Sequence, residues 1–437
     1  HAMSGATPAR DQFFTTTTDG NSKFNAPALG HWLRDNHHIT PGTDDRLYRY
    51  RRGVYLPDGD IHARSTIREI LGPAWRRSHS GEVVGWLEAH HPEITGTPPE
   101  QYINCTNGLL DWRTGELHDH TPDVHTTIQL PVPWDPDATC PTIDRFFEEA
   151  LPPNSTEMIH QIIGLALYPA NPLRKALLAL GPSGTGKSKF LATVTALIGQ
   201  ANCSAVPLQV LAENRFAPAE LFGKLANISG DLDARAITNT DIFKMATGGD
   251  PILAERKHGH PFSFTPYATF LFAANEAPFT SDQTDAWFER WVVVPFTNKP
   301  TSADTRLQEK LTTPSELAGL LVHAIAGLRS VTDTGTLTSS DAITAANAVY
   351  RDRLDSVRGF INDGALLDTE AWTPRPALYA AYRTWATESG RKALNRDSFY
   401  DHIRRNYPEC VESTRRGIRG FSGLGLPEAE GAELPHF

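Results

Sequence analysis

Between Ala176 and Gly199 the chain reads ALLALGPSGTGKSKFLATVTALIG, and no other stretch restricts the fold as tightly. The apolar run Ala176–Leu180 suits a buried strand, and residues from Lys189 onward place apolar side chains at helical spacing. Between them lies Gly181-Pro182-Ser183-Gly184-Thr185-Gly186-Lys187-Ser188. Glycines at that spacing let backbone N–H groups close around phosphates, at a helix N-terminus whose dipole favours anions. Lys187 adds a positive charge, and the Ser188 hydroxyl can ligate Mg2+. The pattern implies binding of a nucleoside triphosphate, expected to be ATP, and a strand–loop–helix unit of α/β type.

At 437 residues the chain is too long for one ordinary domain. Hydrophobic content of 40% with charged content of 21% fits a soluble globular protein. No apolar run approaches the ~18 residues of a membrane span, and no basic-then-apolar signal segment opens the chain. The expectation is a cytoplasmic protein of a bacterial host, with no membrane partner. His1-Ala2 ahead of Met3 reads as a cloning remnant. Cys105, Cys140, Cys203 and Cys410 are scattered, which argues against a disulfide framework or zinc ribbon and for a reducing compartment. A net charge of −10 argues against a general nucleic-acid coat but allows a local basic surface.

The organisation reads as a multidomain α/β chain. Residues 1–22 form a polar, poorly ordered tail, and residues 23–140 an accessory segment with helices and hairpins. "RLYRYRRGVYLPDG" alternates as a hairpin does, and "INCTNGLLDWRTGEL" forms a second with Asn107-Gly108 at its turn. A helical stretch is expected from Thr142 to about Tyr168. The ATPase core spans residues 141–330 with its preceding helices. From Arg174 to about Phe296 it reads strand, glycine loop, helix, strand, helix, hairpin, strand. Thr313-Pro314-Ser315-Glu316 reads as a capping box. A polar linker follows near Thr332–Ser340, then a helical and hairpin domain over residues 341–437.

Further candidate residues lie in the core. "GKLANISGDLDA" offers Asp231 and Asp233 after an apolar strand. One should hold Mg2+ and one should polarise the attacking water, and the sequence leaves open which acts as base. Asn275 ends the strand "YATFLFAANEAP", where its amide can orient that water. Arg290 precedes the strand in "FERWVVVPF" and either reaches a neighbouring subunit's phosphates or packs against Trp287 or Trp291. In "FKMATGGDPILAERKHGHPFSF", Arg256-Lys257-His258 make a basic point flanked by two short apolar arms, with Gly259 permitting the turn.

These elements, in this order, resemble superfamily 3 helicases, in particular the primase–helicase proteins of phages, plasmids and large DNA viruses. "GPSGTGKS", "NISGDLDA", "FKMATGGDPILAERK", "FLFAANEAP" and "FERWVVVPF" carry the resemblance. "NCTNGLLDWRTGELHDHTPD" looks like part of the domain that precedes the ATPase in that family, and "ALYAAYRTWATESGRKALNRDSFYDHIRR" with "RGFSGLGL" like its winged-helix module. The resemblance implies an AAA+-type P-loop ATPase that forms a homo-hexamer around single-stranded DNA. It also implies that Lys257, with Arg256 and His258, grips the DNA backbone from a hairpin in the ring channel. Lys244 and Arg290 would act on a neighbour's nucleotide. The family's larger members carry a primase domain ahead of this region; this chain is expected to hold none, so a separate primase or other replication proteins are possible partners. Leu232, not a second acid, follows Asp231, a departure from the usual pattern.

The cluster His118, His120 and His125 lacks further ligands at metal spacing and is expected to bind none. In the tail, Arg415 and Arg416 are candidates for contact with duplex backbone, with Arg404, Arg405 and Arg419 nearby. The function implied is an ATP-dependent helicase acting on single-stranded and forked DNA in phage, prophage or plasmid replication. The alternatives are an origin-binding initiator that melts DNA without processive unwinding, and a packaging or loader ATPase.

Overall fold

The computed structural model describes residues 8–427 apart from Gly20, Asp231, 233–236, Thr238, His258, Phe279, Ser281, Gln283, 301–303, Gly390 and Lys392. The chain forms two units, His1–Ser281 with Glu289–Ile343, and Asp282–Phe288 with Thr344–Phe437.

In the first unit, helix α1 (Ala26–His37) begins at Asn25, whose side chain accepts from Ala28 N, and ends where His38 turns left-handed. Strands β1 (Ile39–Pro41), β2 (Leu47–Arg51) and β3 (Val54–Leu56) pair antiparallel. The β2–β3 turn sets Arg52 at φ 50° and Gly53 at φ 90°, as a two-residue hairpin requires. Helices α2 (Gly59–Leu71) and α3 (Arg77–Glu88) share a buried core with α1 through Leu29, Leu33, Ile67 and Val83. A second small sheet holds β4 (Tyr102–Cys105), β5 (Gly108–Asp111) and β6 (Leu117–His118). Its turn residue Asn107 does not take a positive φ, and its side chain accepts from Trp134 N at 2.8 Å and donates to Trp134 O at 2.9 Å.

The expected helix from Thr142 to Tyr168 is two helices, α4 (Pro141–Ala150) and α5 (Thr156–Leu167). Pro152 and Pro153 cannot continue the backbone hydrogen bonding between them. The central chain then runs through β7 (Ala176–Leu180), α6 (Lys187–Ile198), β8 (Cys203–Ser204), α7 (Leu208–Glu213), β9 (Ala226–Ser229) and α8 (Asp241–Gly248). A hairpin of β10 (Ile252–Ala254) and β11 (Phe262–Phe264) follows, then β12 (Thr269–Ala274), β13 (Trp291–Pro295) and α9 (Pro314–Thr334).

Five of these strands make one parallel sheet in the order β8-β9-β12-β7-β13. β7, β9 and β12 are almost entirely buried, which suits apolar runs covered on both faces. The same core takes in Ile103, Leu110, Trp112 and Ile128 from the accessory segment.

Helix α9 crosses α5 at close range. A Cβ on Gly164 would lie 2.3 Å from Ala324 O, and one on Gly327 would lie 2.5 Å from the carbonyl carbon of His160. The expected capping box at Thr313 does not form: the Thr313 side chain makes no cap bond. Glu316 instead accepts from Thr142 N and Ile143 N, at 3.0 Å each, and so caps α4. The polar stretch expected as a linker is also anchored, with Thr338 N donating to Gln161 Oε1 at 2.8 Å.

The second unit packs α10 (Ser356–Asp363), β14 (Leu366–Pro374), α11 (Arg375–Glu388), α12 (Arg396–Asn406), β15 (Val411–Arg415) and β16 (Ile418–Gly425). Phe360, Tyr382, Phe399 and Phe421 fill its core. Its antiparallel sheet has the order β14-β16-β15, and the β15–β16 turn sets Arg416 and Gly417 at positive φ.

Candidate nucleotide site and basic hairpin

The chain leaves β7 for the far edge of the sheet and returns through β9 and β12. It then passes β7 to add β13 on the other side. β7 is therefore where strand order reverses, and the C-terminal ends of strands at such a point form a crevice suited to ligands. The register makes the crevice specific. Ala274 pairs with Leu180, so Asn275 and Gly181 leave their strands level with one another.

Lys187, in the first turn of α6, bridges them. Its ammonium donates to Gly181 O at 2.6 Å, Pro182 O at 2.8 Å and Asn275 Oδ1 at 3.1 Å. The residue is only 7% exposed, and burial holds its pKa below the ordinary lysine value. Gly184 at φ 85° and Gly186 at φ 98° take the left-handed conformations the loop needs. Thr185 Oγ1 donates to Pro182 O at 2.9 Å and braces the turn. Ser183, Gly184, Gly186, Lys187, Ser188, Gly230 and Asn275 line a cavity of about 420 Å3, within the range of small-molecule sites.

A polyphosphate fits this donor set. The cavity offers a buried cation at a helix N-terminus and a glycine, Gly184, beside which a Cβ would meet nothing within 4 Å. For a divalent cation, Ser188 supplies one hydroxyl in the lining. Asp231 and Asp233, the expected acids, lie outside the described residues, directly after Gly230.

Arg290 reaches the backbone of Lys244, and neither residue lines this cavity. Arg290 Nε donates to Thr247 Oγ1 at 2.8 Å and Nη2 to Lys244 O at 3.1 Å, so it caps the end of α8. Lys244 Nζ lies 3.5 Å from Asp241 Oδ1. Arg290 O accepts from Ala176 N, at the start of β7. The Arg290 backbone thus lies at the opposite end of β7 from the glycine loop, roughly 17 Å along the strand at about 3.3 Å per residue.

The hairpin arms are three residues each, with Ile252 opposite Phe264 and Ala254 opposite Phe262. Gly259 N donates to Arg256 O at 2.9 Å and closes the turn without positive φ at Gly259. Lys257 is exposed, and His258 lies outside the described residues. Arg256 is not presented at the tip. Its guanidinium reaches the carboxylate of Asp44 at 3.3 Å and lies over the rings of Phe262 and Phe222.

In the second unit Arg415 and Arg416 are exposed at the β15–β16 turn, with the Arg415 guanidinium 5.5 Å from the Trp372 ring centre. Arg404 pairs with Glu412 and Asp401. A cavity of about 260 Å3 is lined by Arg375, Arg396, Tyr400 and Arg419. Sequence reasoning missed Arg375 and Arg396, whose only signal is their position in the first turn of a helix. His120 Nε2 lies 3.0 Å from Asn104 Oδ1, and His125 Nε2 lies 3.7 Å from Glu93 Oε2. Sequence reasoning also passed over Cys140, Asp144 and His323, which bring donor atoms within 4.8 Å of one another. No described helix is long and apolar enough to cross a membrane.

Two family models match separate stretches. Residues 20–152 match one described as D5 N terminal like, and residues 179–290 match a family of unknown function, DUF5906. The "Putative helicase L207/L206" of Acanthamoeba polyphaga mimivirus is 25% identical over 292 residues, covering 60% of this chain and 30% of that protein. The chain thus spans less than a third of that relative. Among solved structures, the A form apo structure of the NrS-1 C-terminal region has TM-score 0.51 and 13% identity, covering 90% of this chain and 98% of that one. A second apo structure of that region gives TM-score 0.50 with the same coverage and identity. The chain shares that multidomain α/β fold, and the sequence matches support a relationship to viral helicase-like proteins.

Proposed function

We propose that the chain is an ATP-driven DNA helicase of superfamily 3 type, with an AAA+-type P-loop core acting as a homo-hexamer on single-stranded and forked DNA. One observation carries this reading: the site is divided between two ends of the sheet. The glycine loop, Lys187 and Asn275 meet at the C-terminal end of β7, while the Arg290 backbone lies at the other end and its side chain bonds the Lys244 carbonyl. Lys244 is held by Asp241, and Arg290 by Thr247 and the Lys244 carbonyl, so either would exchange these partners to complete a neighbour's pocket in a ring. ATP would then be held by residues 181–188, with Asn275 orienting water and Arg290 of the next copy stabilising transferred charge. Mg2+, held by Ser188 with Asp231 or Asp233, would neutralise charge on the phosphates. Lys257 is the DNA contact, and six exposed copies around a channel give a basic ring inside an acidic protein. The setting we infer is replication of a phage, prophage or plasmid in a bacterial cytoplasm.

The second unit supports the alternative of an origin-binding initiator. Its helices and β15–β16 hairpin have the order of a winged helix, with Arg415 and Arg416 exposed at the turn.

Strand separation on a forked duplex, with ATP and Mg2+, compares the native chain with Lys187→Ala. Unwinding by the native chain that is lost in the variant supports the helicase. Hydrolysis stimulated by DNA without unwinding, together with sequence-specific duplex binding, would move the assignment to the initiator.

A further inference from the structure

Asp44 is unusually buried for a loop aspartate. It lies between β1 and β2, yet its side chain is only 1% exposed. Its Oδ2 accepts from the Tyr48 hydroxyl at 3.1 Å and faces Arg46 Nε at 3.5 Å and Arg256 Nη2 at 3.3 Å. Arg256 Nη1 also donates to Asp44 O at 3.4 Å. A buried carboxylate costs free energy unless charge and hydrogen bonds compensate it, so removing one cation leaves it exposed to that cost.

The contact does not stand alone. The Arg256 guanidinium lies 4.6 Å from the Phe262 ring centre and 5.4 Å from that of Phe222. Phe222 meets Phe262 and Phe264 edge-on, at 5.4 and 5.3 Å. Gly96 closes the other side, because a Cβ there would lie 2.5 Å from Phe222. Tyr267, just past the hairpin, donates its hydroxyl to Gly96 O at 2.9 Å. The root of the hairpin is thus gripped by residues near positions 44 and 96. Those positions fall within the stretch matched at 20–152, while Arg256 falls within the stretch matched at 179–290.

The geometry points to a positioning role for the N-terminal segment: Asp44 holds Arg256 at the root of the β10–β11 loop and so fixes where Lys257 is presented. Arg256 is then a positioning residue and not a DNA ligand. The consequence for DNA rests on the reading of Lys257 given above; the restraint on the loop does not.

The test uses the full chain and two readouts. Amide hydrogen exchange of residues 252–264, without DNA, reads the restraint directly. Asp44→Asn and Arg256→Gln should each speed exchange there by about tenfold, a fold-change fitting the loss of one partly buried charged pair, and the double variant should go no further. Affinity for a fluorescent oligo-dT strand reads the consequence. Asp44→Asn should weaken it several-fold with basal ATP hydrolysis unchanged, and Lys257→Ala should weaken it more. If Asp44→Asn loses cooperative unfolding, Arg256→Gln, at a partly exposed position, carries the exchange test alone. Unchanged exchange in Arg256→Gln overturns the proposal. So does a variant pair in which only Arg256→Gln weakens oligo-dT binding, since Arg256 would then touch DNA itself. Faster exchange in both, with oligo-dT affinity indifferent to Lys257→Ala, upholds the restraint and removes the DNA reading of the hairpin.

Discussion

Replacing Lys187 with Met removes one charge from the glycine loop while keeping most of the side chain's bulk. The ammonium's three N–H bonds are all engaged, by Gly181 O, Pro182 O and Asn275 Oδ1. Burial lowers its pKa, so the folded chain disfavours the charged form. For a base with a depressed folded pKa, the penalty is present at neutral pH, where both states are charged, and disappears as pH rises through the unfolded value. Met removes that penalty, which partly offsets the donors lost to Gly181 O, Pro182 O and Asn275 Oδ1, the last in the cavity lining and open to water. Stability without nucleotide should therefore stay within about 1 kcal/mol of native. The effect on nucleotide is of another size. One charge about 4 Å from a phosphate charge is worth about 4 kcal/mol at an effective dielectric near 20, so kcat/KM for ATP should fall roughly 10³-fold. Thermal unfolding with and without Mg–ATP, beside a hydrolysis assay, separates the two. At ATP near 100 times Kd the native chain should gain about 2.7 kcal/mol, and the variant far less. A variant that unfolds early without nucleotide yet hydrolyses ATP at the native rate would refute the argument, because Lys187 would then be a structural cation.

Gly164→Ala tests the α5–α9 crossing with opposite signs. Helix propensity alone favours Ala by about 0.5–1 kcal/mol, but the added Cβ would meet Ala324 O at 2.3 Å, and overpacking costs about 1–3 kcal/mol. A lower urea midpoint is expected, and a higher one would mean the helices separate freely. His160 gives a pH dependence: burial beside His323 lowers its imidazole to about 4, and Nε2 has no hydrogen-bond partner. Its neutral form supports the fold above pH 6.5, and that support is lost as pH falls toward 4, by about 3 kcal/mol at most. His160→Phe, which keeps a ring against His323, should flatten the fall in urea midpoint between pH 7 and 4.5.

The parts of this chain legible in its sequence are those whose causes are local. The strand–loop–helix at 176–198 follows from glycine spacing and apolar periodicity, and the β2–β3 hairpin from alternation, although Pro57-Asp58-Gly59, read as a turn, opens α2 and the hairpin turns at Arg52-Gly53. Asn275 was placed by strand-end logic, and the register that brings it level with Gly181 bears on the same logic. Where the reading missed, the deciding partner lay far along the chain. Thr313 and Glu316 have the spacing of a capping box, but Glu316 answers the free N–H groups of α4, 174 residues away from Thr142. Two helix N-termini compete for one carboxylate, and the more buried one takes it.

Arg256 shows the same physics at the site itself. Beside Lys257 and His258 it reads as part of one basic point, and charge spacing alone, without the family resemblance that singles out Lys257, does not rank its members. Asp44, 212 residues earlier, ranks them: a buried carboxylate holds whichever cation the hairpin root brings to it. Charge runs are therefore poor guides to which residue meets a ligand, because pairing within the chain removes members selectively. What remains exposed after that pairing is the better guide, and in this hairpin the described cation that remains is Lys257. The second unit behaves alike: Glu412 engages Arg375 and Arg404, and Arg415 and Arg416 stay at the exposed turn. Whether those two then meet duplex DNA separates an initiator from a helicase that moves on one strand.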